Sequence, residues 1–389
     1  MPPTISVKEH TECWCCSDGH RFWLPWAWPR KHSYTPLRKE TESGQASTCA
    51  VSPRVVFKFV QIVLVLTLSF FLALTVFSLM PWPLDRFDSA FSFQSESISI
   101  DPDSPDYPRK FLSNVVPVPC HSHNDYWRTT PLYAALGTGC VGIEADIWLV
   151  EDQLYVGHAL ESVTMTGNGT LGHMYIEPLV KILDAANRLR EDYPQQPYRG
   201  VFEAEPSQTL TLLIDIKTAG AETWPYLYEA LTPLRERGWL SHWNGTHRIP
   251  RPITVVGTGA TPSDLVVANQ THRDIFLDAP LANLMDPSDV ETIRKFKYNP
   301  SNSHFASAPL VKAIGDAKGL LSSEQRATLR EQIRNARARG LIPRYWGTPR
   351  WPRGFRNQIW EILLNEDVGI LNVDDLRAVR KGHWGFWPG

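Results

Sequence analysis

Two imidazoles and an amide fall within five residues, His121-Ser122-His123-Asn124-Asp125, and Gly142-Ile143-Glu144-Ala145-Asp146 follows on the next apolar run. Imidazoles pass protons near neutral pH, and carboxylates hold hard cations. Glu144 and Asp146 lie two apart, so on a strand both side chains leave the same face. Facing an interior, two such carboxylates repel each other and are penalised by desolvation, a conflict that a divalent cation or a Lys/Arg partner removes. Asp215 closes a further apolar run, Leu212-Leu213-Ile214, and offers a third oxygen ligand. Lys217 shares its strand face and offers a cation to a phosphate oxygen. Three carboxylates suit Mg2+ or Ca2+ better than zinc. His158, at the end of Leu154-Tyr155-Val156-Gly157, joins His121 and His123 as a candidate proton shuttle.

Taken alone, the His-Ser-His segment points equally to a zinc amidohydrolase or phosphoesterase in which His121 and His123 are metal ligands. That chemistry needs more His on later strands, and the strand ends Val256-Gly257-Thr258 and Leu277-Asp278-Ala279 supply none.

These groups must be carried by a scaffold, and the pattern beyond Phe111 provides one. Short apolar, β-branched runs alternate with amphipathic stretches, the signature of a parallel α/β architecture. Strands are predicted at Val115–Cys120, Val141–Leu149, Leu154–Val156, Thr211–Ile216, Ile253–Val256, Ile275–Leu277, Leu341–Tyr345 and Gly369–Val373. Helices are predicted at Pro178–Arg190, Trp224–Arg237, Ser323–Ala338 and Phe355–Leu364, the third capped by Ser322 or Ser323 and ended by Gly340. Such a count gives a (β/α)8 TIM-type barrel; a doubly wound open sheet is the alternative. In both folds chemistry gathers at the carboxyl ends of the strands, where these polar residues fall. Arg344-Tyr345-Trp346 and Asn372-Val373-Asp374-Asp375 end late strands and are candidates for pocket lining or for packing and capping. The basic run Arg334, Arg337 and Arg339 reads as a solvated helix face.

The full chain has 389 residues, 43% hydrophobic and 21% charged, with a net charge of -2, so composition gives no reason to expect nucleic acid. From Phe59 to Met80 the one strongly polar residue is Gln61, which reads as a single membrane span. The sequence therefore divides into a disordered tail (1–54), a transmembrane helix (55–80), an acidic Ser/Pro-rich stalk (81–110) and a catalytic barrel (111–389). Arg54 and Lys58 before the span place the N-terminus in the cytosol and the barrel in a lumen or outside the cell. Sequons at Asn168, Asn244 and Asn269 agree with a glycoprotein of that orientation. Only Cys120 and Cys140 follow the span. If Cys120 ends one strand and Cys140 begins the next, their offset exceeds the bridging limit and no disulfide is expected. Cys13, Cys15 and Cys16 lack a second ligand pair for zinc and read as an acylation site or plain tail. Trp384, Phe386 and Trp387 read as packing on the barrel or meeting lipid.

Together, His121 to Arg128, the Glu144-Ala145-Asp146 pair, Val156-Gly157-His158 and Leu213-Ile214-Asp215-Ile216-Lys217 resemble the phospholipase-C-like phosphodiesterase superfamily. Within it the chain is most similar to the fungal altered inheritance of mitochondria protein 6 family, from about residue 111 to the C-terminus. The resemblance implies a TIM-type barrel shared with glycerophosphodiester phosphodiesterases and sphingomyelinase D-like enzymes. It implies His121 or His123 and then His158 as acid and base, with Glu144, Asp146 and Asp215 holding Mg2+ or Ca2+. Lys217 and Asn124 are then phosphate contacts. Two departures stand out: His-Ser-His-Asn replaces the His-Arg-Gly usual in glycerophosphodiesterases, and Thr130-Pro131-Leu132 replaces their Glu-Asn-Thr. Position directly after the apolar strand favours His121 as the catalytic imidazole, with His123 behind it. The expected activity is phosphoric diester hydrolysis of a phospholipid, lysophospholipid or glycerophosphodiester; a non-catalytic, membrane-anchored binding barrel is the other alternative.

Overall fold

The computed structural model describes residues 52–79, 109–163, 167–285, 298–317 and 319–380. The tail before Ser52, the stalk through Pro108, the Cys13/Cys15/Cys16 cluster and the terminal Trp384, Phe386 and Trp387 lie outside the described residues.

Pro53–Leu79 is one 27-residue helix that starts on a proline, whose missing N–H is harmless in a first turn. Its stretch Pro53–Thr75 has a mean hydropathy of 2.4 and no buried residue, so it is long and apolar enough to cross a membrane. The Thr67 hydroxyl donates back to Val63 O at 2.9 Å, leaving no polar side-chain group of that residue unsatisfied.

The second body is a parallel α/β sheet. Its strands are β1 (Val118–Ser122), β2 (Cys140–Val150), β3 (Gln153–Val156) and β4 (Leu210–Ile216), then a small hairpin of β5 (His242–Trp243) and β6 (Arg248–Ile249). After these come β7 (Ile253–Gly259), β8 (Ile275–Pro280), β9 (Ser303–Pro309), β10 (Ile342–Trp346) and β11 (Leu371–Val373). The main sheet runs β10-β9-β8-β7-β4-β2-β1-β11 and every pair along this path is parallel. A doubly wound sheet reverses its order at a switch point. Here the order advances around the ring without reversal. Arg344 Nε on β10 donates to Asn372 Oδ1 on β11 at 2.9 Å, linking the two ends of a nearly closed eight-stranded barrel.

One of the expected strands needs correction, and one strand was not expected. Leu154–Val156 is a strand, but β3 pairs antiparallel with β2 as a hairpin and is not a barrel stave. The cause is the two-residue turn Glu151-Asp152, both at positive φ (48° and 64°), a geometry that matches the twist of paired strands. The eighth stave is β9, Ser303-His304-Phe305-Ala306-Ser307-Ala308-Pro309, which carries no Val, Ile or Thr and so has little intrinsic strand signal. Helices Ser323–Ala338 and Arg353–Asn365 form where periodicity places them, whereas the other two each break in two, at Arg188 and Leu231. Ser322 caps the first of these: Gln325 N donates to Ser322 Oγ at 3.1 Å and Ser322 N to Gln325 Oε1 at 3.0 Å.

The expected absence of a Cys120–Cys140 bridge is also overturned. The two are disulfide-bonded with Cα atoms 4.7 Å apart. β1 starts at Val118 and runs on to Ser122, so Cys120 lies in mid-strand rather than at its end. Val118 pairs with Cys140 and His121 with Gly142, and the bulge between these pairs brings Cys120 beside Cys140. Closing a loop across a separation of 20 residues is expected to stabilise the fold by about 3 kcal/mol. The double Cys120→Ser, Cys140→Ser variant should show that loss as a lower urea midpoint, and reductant should change the wild type but not the variant.

Inside the barrel, Leu213, Val256, Phe305 and Ile370 form an apolar floor with Val141 and Ile342. The N-terminal end is closed by Arg248 of the β5–β6 hairpin, whose Nη2 donates to Ser303 O at 2.6 Å and whose Nη1 donates to His304 Nδ1 at 2.8 Å. Burial holds His304 down at about 3, so it stays neutral and can accept that bond. Above the apolar floor lies the C-terminal mouth, the end at which parallel barrels carry their chemistry.

Candidate active site

Every barrel strand sends a polar side chain inward above the floor. Parallel register puts Asp146, Asp215 and Thr258 side by side on β2, β4 and β7, and Ser307 beside Arg344 on β9 and β10. His121 pairs with both Gly142 and Asn372, so β1 joins the ring to β11.

The carboxylates come together as the sequence predicts. Glu144, Asp146 and Asp215 each offer an oxygen, and these oxygens lie within 4.8 Å of one another. Asp146 is 1% exposed, and its Oδ1 has no hydrogen-bond partner. Its Oδ2 receives Lys217 Nζ at 2.9 Å and Tyr126 Oη at 2.8 Å. Lys217 also donates to Asp215 Oδ2 at 2.6 Å. Burial raises Asp215, and the neighbouring Asp146 and Glu144 add to that against the pull of Lys217. Glu144 is buried too, which alone would raise it, yet the Arg344 guanidinium holds it well below the usual carboxylate range. Arg344 Nη2 donates to Glu144 Oε2 at 2.7 Å, with both side chains nearly inaccessible. An unpartnered buried oxygen amid three crowded carboxylates is a donor set that fits a hard divalent cation. Gly259 makes room for the Asp215 carboxylate: at φ 65°, a Cβ there would stand 1.9 Å from Asp215 Oδ1.

Removing Arg344 leaves Glu144 buried without its counter-charge. Arg344→Met is expected to destabilise the fold by about 3–5 kcal/mol in chelator. Mg2+ or Ca2+ should restore part of that loss, measured by urea denaturation with and without EDTA.

The three histidines occupy different settings. His121 is fully buried, with Nε2 3.3 Å from Glu144 Oε2. A carboxylate accepts, so Nε2 carries the proton and Nδ1 is a bare acceptor with no partner. That nitrogen lies against β2, where a Cβ on Gly142 would come within 2.3 Å of it. Burial, helped by Arg344, lowers His121 to about 4, so it is neutral at physiological pH. His123 instead donates Nδ1–H to Asp374 Oδ1 at 2.7 Å. Burial would lower it, but Glu144 and the Asp374 hydrogen bond outweigh that, and its pKa is raised. Asp374, held by His123 and by Arg350 Nε at 3.0 Å, falls to about 2 despite its burial. His158 turns Nδ1 to Asp146 Oδ2 at 3.3 Å and is 49% exposed, so Nε2 is left for the mouth. Trp127 packs edge-on against it at 5.2 Å.

Asn124 is buried at φ 45°, in the turn directly after His123. Asp125 organises that turn: Ser122 Oγ, Leu132 N and Tyr175 Oη all donate to its carboxylate, at 2.7, 2.6 and 3.2 Å. Of the late-strand residues, Arg344, Asn372 and Asp374 all enter the site, while Asp375 binds Arg356 and caps Ala378. Two further residues join the site: Tyr126, which has no spacing signal in the sequence, and Asp278, which carries the same signal as Asp215, a carboxylate closing an apolar strand.

The chain is thus a parallel α/β barrel with carboxylates and imidazoles gathered at its mouth, and comparison with known proteins gives its domain type. Residues 109–278 match the AIM6-like phosphodiesterase domain model. An "Altered inheritance of mitochondria protein 6 homolog" from Arthroderma benhamiae is 40% identical over 290 residues, covering 72% of this chain and 87% of that protein. Altered inheritance of mitochondria protein 6 of Eremothecium gossypii is 37% identical over 272 residues, 67% of this chain and 68% of the relative. The Saccharomyces cerevisiae protein of that name is 31% identical over 287 residues, 69% of this chain and 71% of its own. The chain belongs to the altered inheritance of mitochondria protein 6 family. No solved structure matches it.

Proposed function

We propose that the chain is a membrane-tethered, metal-assisted phosphoric diester hydrolase acting on a phospholipid, lysophospholipid or glycerophosphodiester. One observation carries this reading. Three carboxylates converge on a point beside the unpartnered Asp146 Oδ1, flanked by two imidazoles that each donate Nδ1–H to a carboxylate.

Glu144, Asp146 and Asp215 would hold Mg2+ or Ca2+, which when bound supplies positive charge against the phosphoryl oxygens. His158, with Nδ1–H turned to Asp146, presents Nε2 to take a proton from water or from a hydroxyl of the substrate. His123, its charged form favoured by Asp374, gives a proton to the leaving alkoxide. His121 acts as a positioning residue: its one N–H is spent on Glu144, and its other nitrogen faces the β2 backbone. Lys217 has three ammonium protons and two carboxylate partners, leaving one for a phosphate oxygen, with Asn124 as a second contact.

The apolar helix is the proposed tether, with a cytosolic N-terminus and a lumenal or extracellular barrel. Arg54 and Lys58 at its start, the Cys120–Cys140 disulfide, and exposed sequon residues Asn168, Asn244 and Asn269 support that orientation.

The test uses the full chain in detergent, assayed on glycerophosphodiesters and lysophospholipids. EDTA should abolish turnover and Mg2+ or Ca2+ should restore it. Metal-independent turnover overturns the mechanism. Diester binding without cleavage under any metal replaces it with a binding barrel.

A further inference from the structure

Most large apolar side chains exposed on the barrel stand singly, which is ordinary for a protein surface. The tryptophans do not. Among the described residues three are exposed, Trp127, Trp346 and Trp351 at 42%, 40% and 52%, and all three lie at the C-terminal mouth. Trp127 closes the short turn Asp125–Trp127 after β1, Trp346 is the last residue of β10, and Trp351 lies in the loop between β10 and the helix Arg353–Asn365. β1 and β10 both neighbour β11, one by strand pairing and the other through the Arg344–Asn372 hydrogen bond. The three rings therefore share one sector of the rim.

Local structure holds them in place. On β10 the inward positions are Ile342 at the floor, Arg344 in the site and Trp346 at the rim. In the loop beyond, Pro349 and Pro352 each fix a backbone angle, and Thr348 is buried. Arg350 anchors the loop to the site. Its Nε donates to Asp374 Oδ2 at 3.0 Å, and its guanidinium carbon lies 6.0 Å from the centre of the Trp127 ring. A loop fixed in this way loses little freedom when it docks.

Charge points to the partner. The whole chain carries a net charge of -2, yet from Trp346 to Gly354 the charged residues are Arg350 and Arg353, the latter exposed. Indole rings settle at the boundary between headgroups and acyl chains, and arginines beside them meet anionic headgroups. Tryptophan and arginine are also hot-spot residues between proteins. A bilayer is favoured over a protein on two grounds. The chain carries its own helix long and apolar enough to cross a membrane, which makes lipid the nearest candidate surface. The rings also border the opening to a polar site, which a protein seated there would cap.

We propose that Trp127, Trp346 and Trp351, with Arg350 and Arg353, dock the barrel mouth onto the headgroup layer of an anionic bilayer. The dock goes beyond the hydrolase reading: a tether keeps the barrel at a membrane, whereas this rim sets which end of it meets lipid.

Depth-dependent quenching in the full chain, reconstituted into vesicles, tests the dock without any turnover. A nitrobenzoxadiazole fluorophore is attached at Trp351→Cys or, separately, Trp346→Cys, in a chain also carrying Cys13→Ser, Cys15→Ser, Cys16→Ser and Cys49→Ser. Cys120 and Cys140 stay buried in their disulfide. The control is Leu189→Cys, at an apolar position that is 68% exposed. It lies toward the opposite end, where Arg190 and Arg251, the latter just before β7, both cover the Tyr198 ring. In vesicles with equal parts of phosphatidylcholine and phosphatidylserine, nitroxide lipids should place both rim probes about 5–10 Å into the headgroup and acyl boundary. The probe at 189 should stay unquenched. Omitting phosphatidylserine, raising the salt or adding Arg353→Gln should each weaken rim quenching severalfold. Rim quenching no greater than that at 189 would overturn the proposal. So would rim probes shielded from aqueous iodide yet untouched by the lipid nitroxides, the mark of a second copy covering this face. A chain that docks without cleaving any diester counts against the hydrolase reading alone, and one that cleaves without docking counts against the rim alone.

Discussion

Asp146→Asn is expected to lower diester hydrolysis by at least about 10³-fold, corresponding to roughly 4 kcal/mol of transition-state stabilisation. The substitution preserves shape and keeps an oxygen to accept from Tyr126, which donates to Asp146 at 2.8 Å. It removes the charge at the centre of the site, where Lys217 and His158 both turn toward the same carboxylate. A hard cation depends on anionic oxygen donors, so the variant should also need much more Mg2+ or Ca2+ for its residual rate. The measurement is kcat against metal concentration for wild type and variant, with circular dichroism to show that the fold persists. Residual activity within tenfold of wild type at low metal would remove Asp146 from the reaction.

His123→Ala is expected to reduce kcat by about 10²–10⁴-fold, the usual range for losing a general acid. The pH profile distinguishes this role from a structural one. The pKa of His123 is raised in the folded protein, so its proton is fully present below the ordinary value of 6.5 and is lost as pH climbs through the raised value. Activity should therefore fall on the alkaline side. Asp374→Asn takes away a principal cause of the elevation, so that alkaline limb should move toward lower pH while some activity survives. Stability follows the same linkage from both partners. The His123 contribution is complete below 6.5 and fades above it, whereas that of Asp374, depressed to about 2, is present above 3.8 and fades as pH falls toward 2. Pair stability should thus be greatest between about pH 4 and 6.5. An unchanged alkaline limb in Asp374→Asn would return the acid role to another group. His121, read from its place after the apolar run as the reactive imidazole, should show a different pattern. His121→Ala should lower stability and metal affinity together through Glu144, with no shift of that limb.

The placement of the three carboxylates and of His158 was legible because its signal is local. Glu144 and Asp146 alternate on one strand, and Asp215 and His158 each follow an apolar run, so residue spacing alone fixes the face and end they occupy. The barrel itself was legible from alternation of apolar runs and helical periods. What escaped depends on partners distant in sequence. Arg344 lies 200 residues from Glu144 and its role exists only once β10 and β2 face each other across the barrel. The Asp374 partner of His123 is 251 residues away. β9 escaped because small residues satisfy a crowded interior without the β-branching that marks a strand. The disulfide was missed through one bulge, a shift of a single residue that no periodicity records.

That bond also offers a way to read topology without glycans or protease. Cys120 and Cys140 are fully buried and joined to each other, so a natively folded barrel from an oxidising compartment should expose neither as a thiol until it is both denatured and reduced. A barrel facing the reducing cytosol should yield both thiols on denaturation alone. Alkylation of cell membranes in denaturant, before and after reductant, thus reports the side of the bilayer on which the barrel strands matured. The same count tells a producer of the recombinant chain whether the host compartment was the right one.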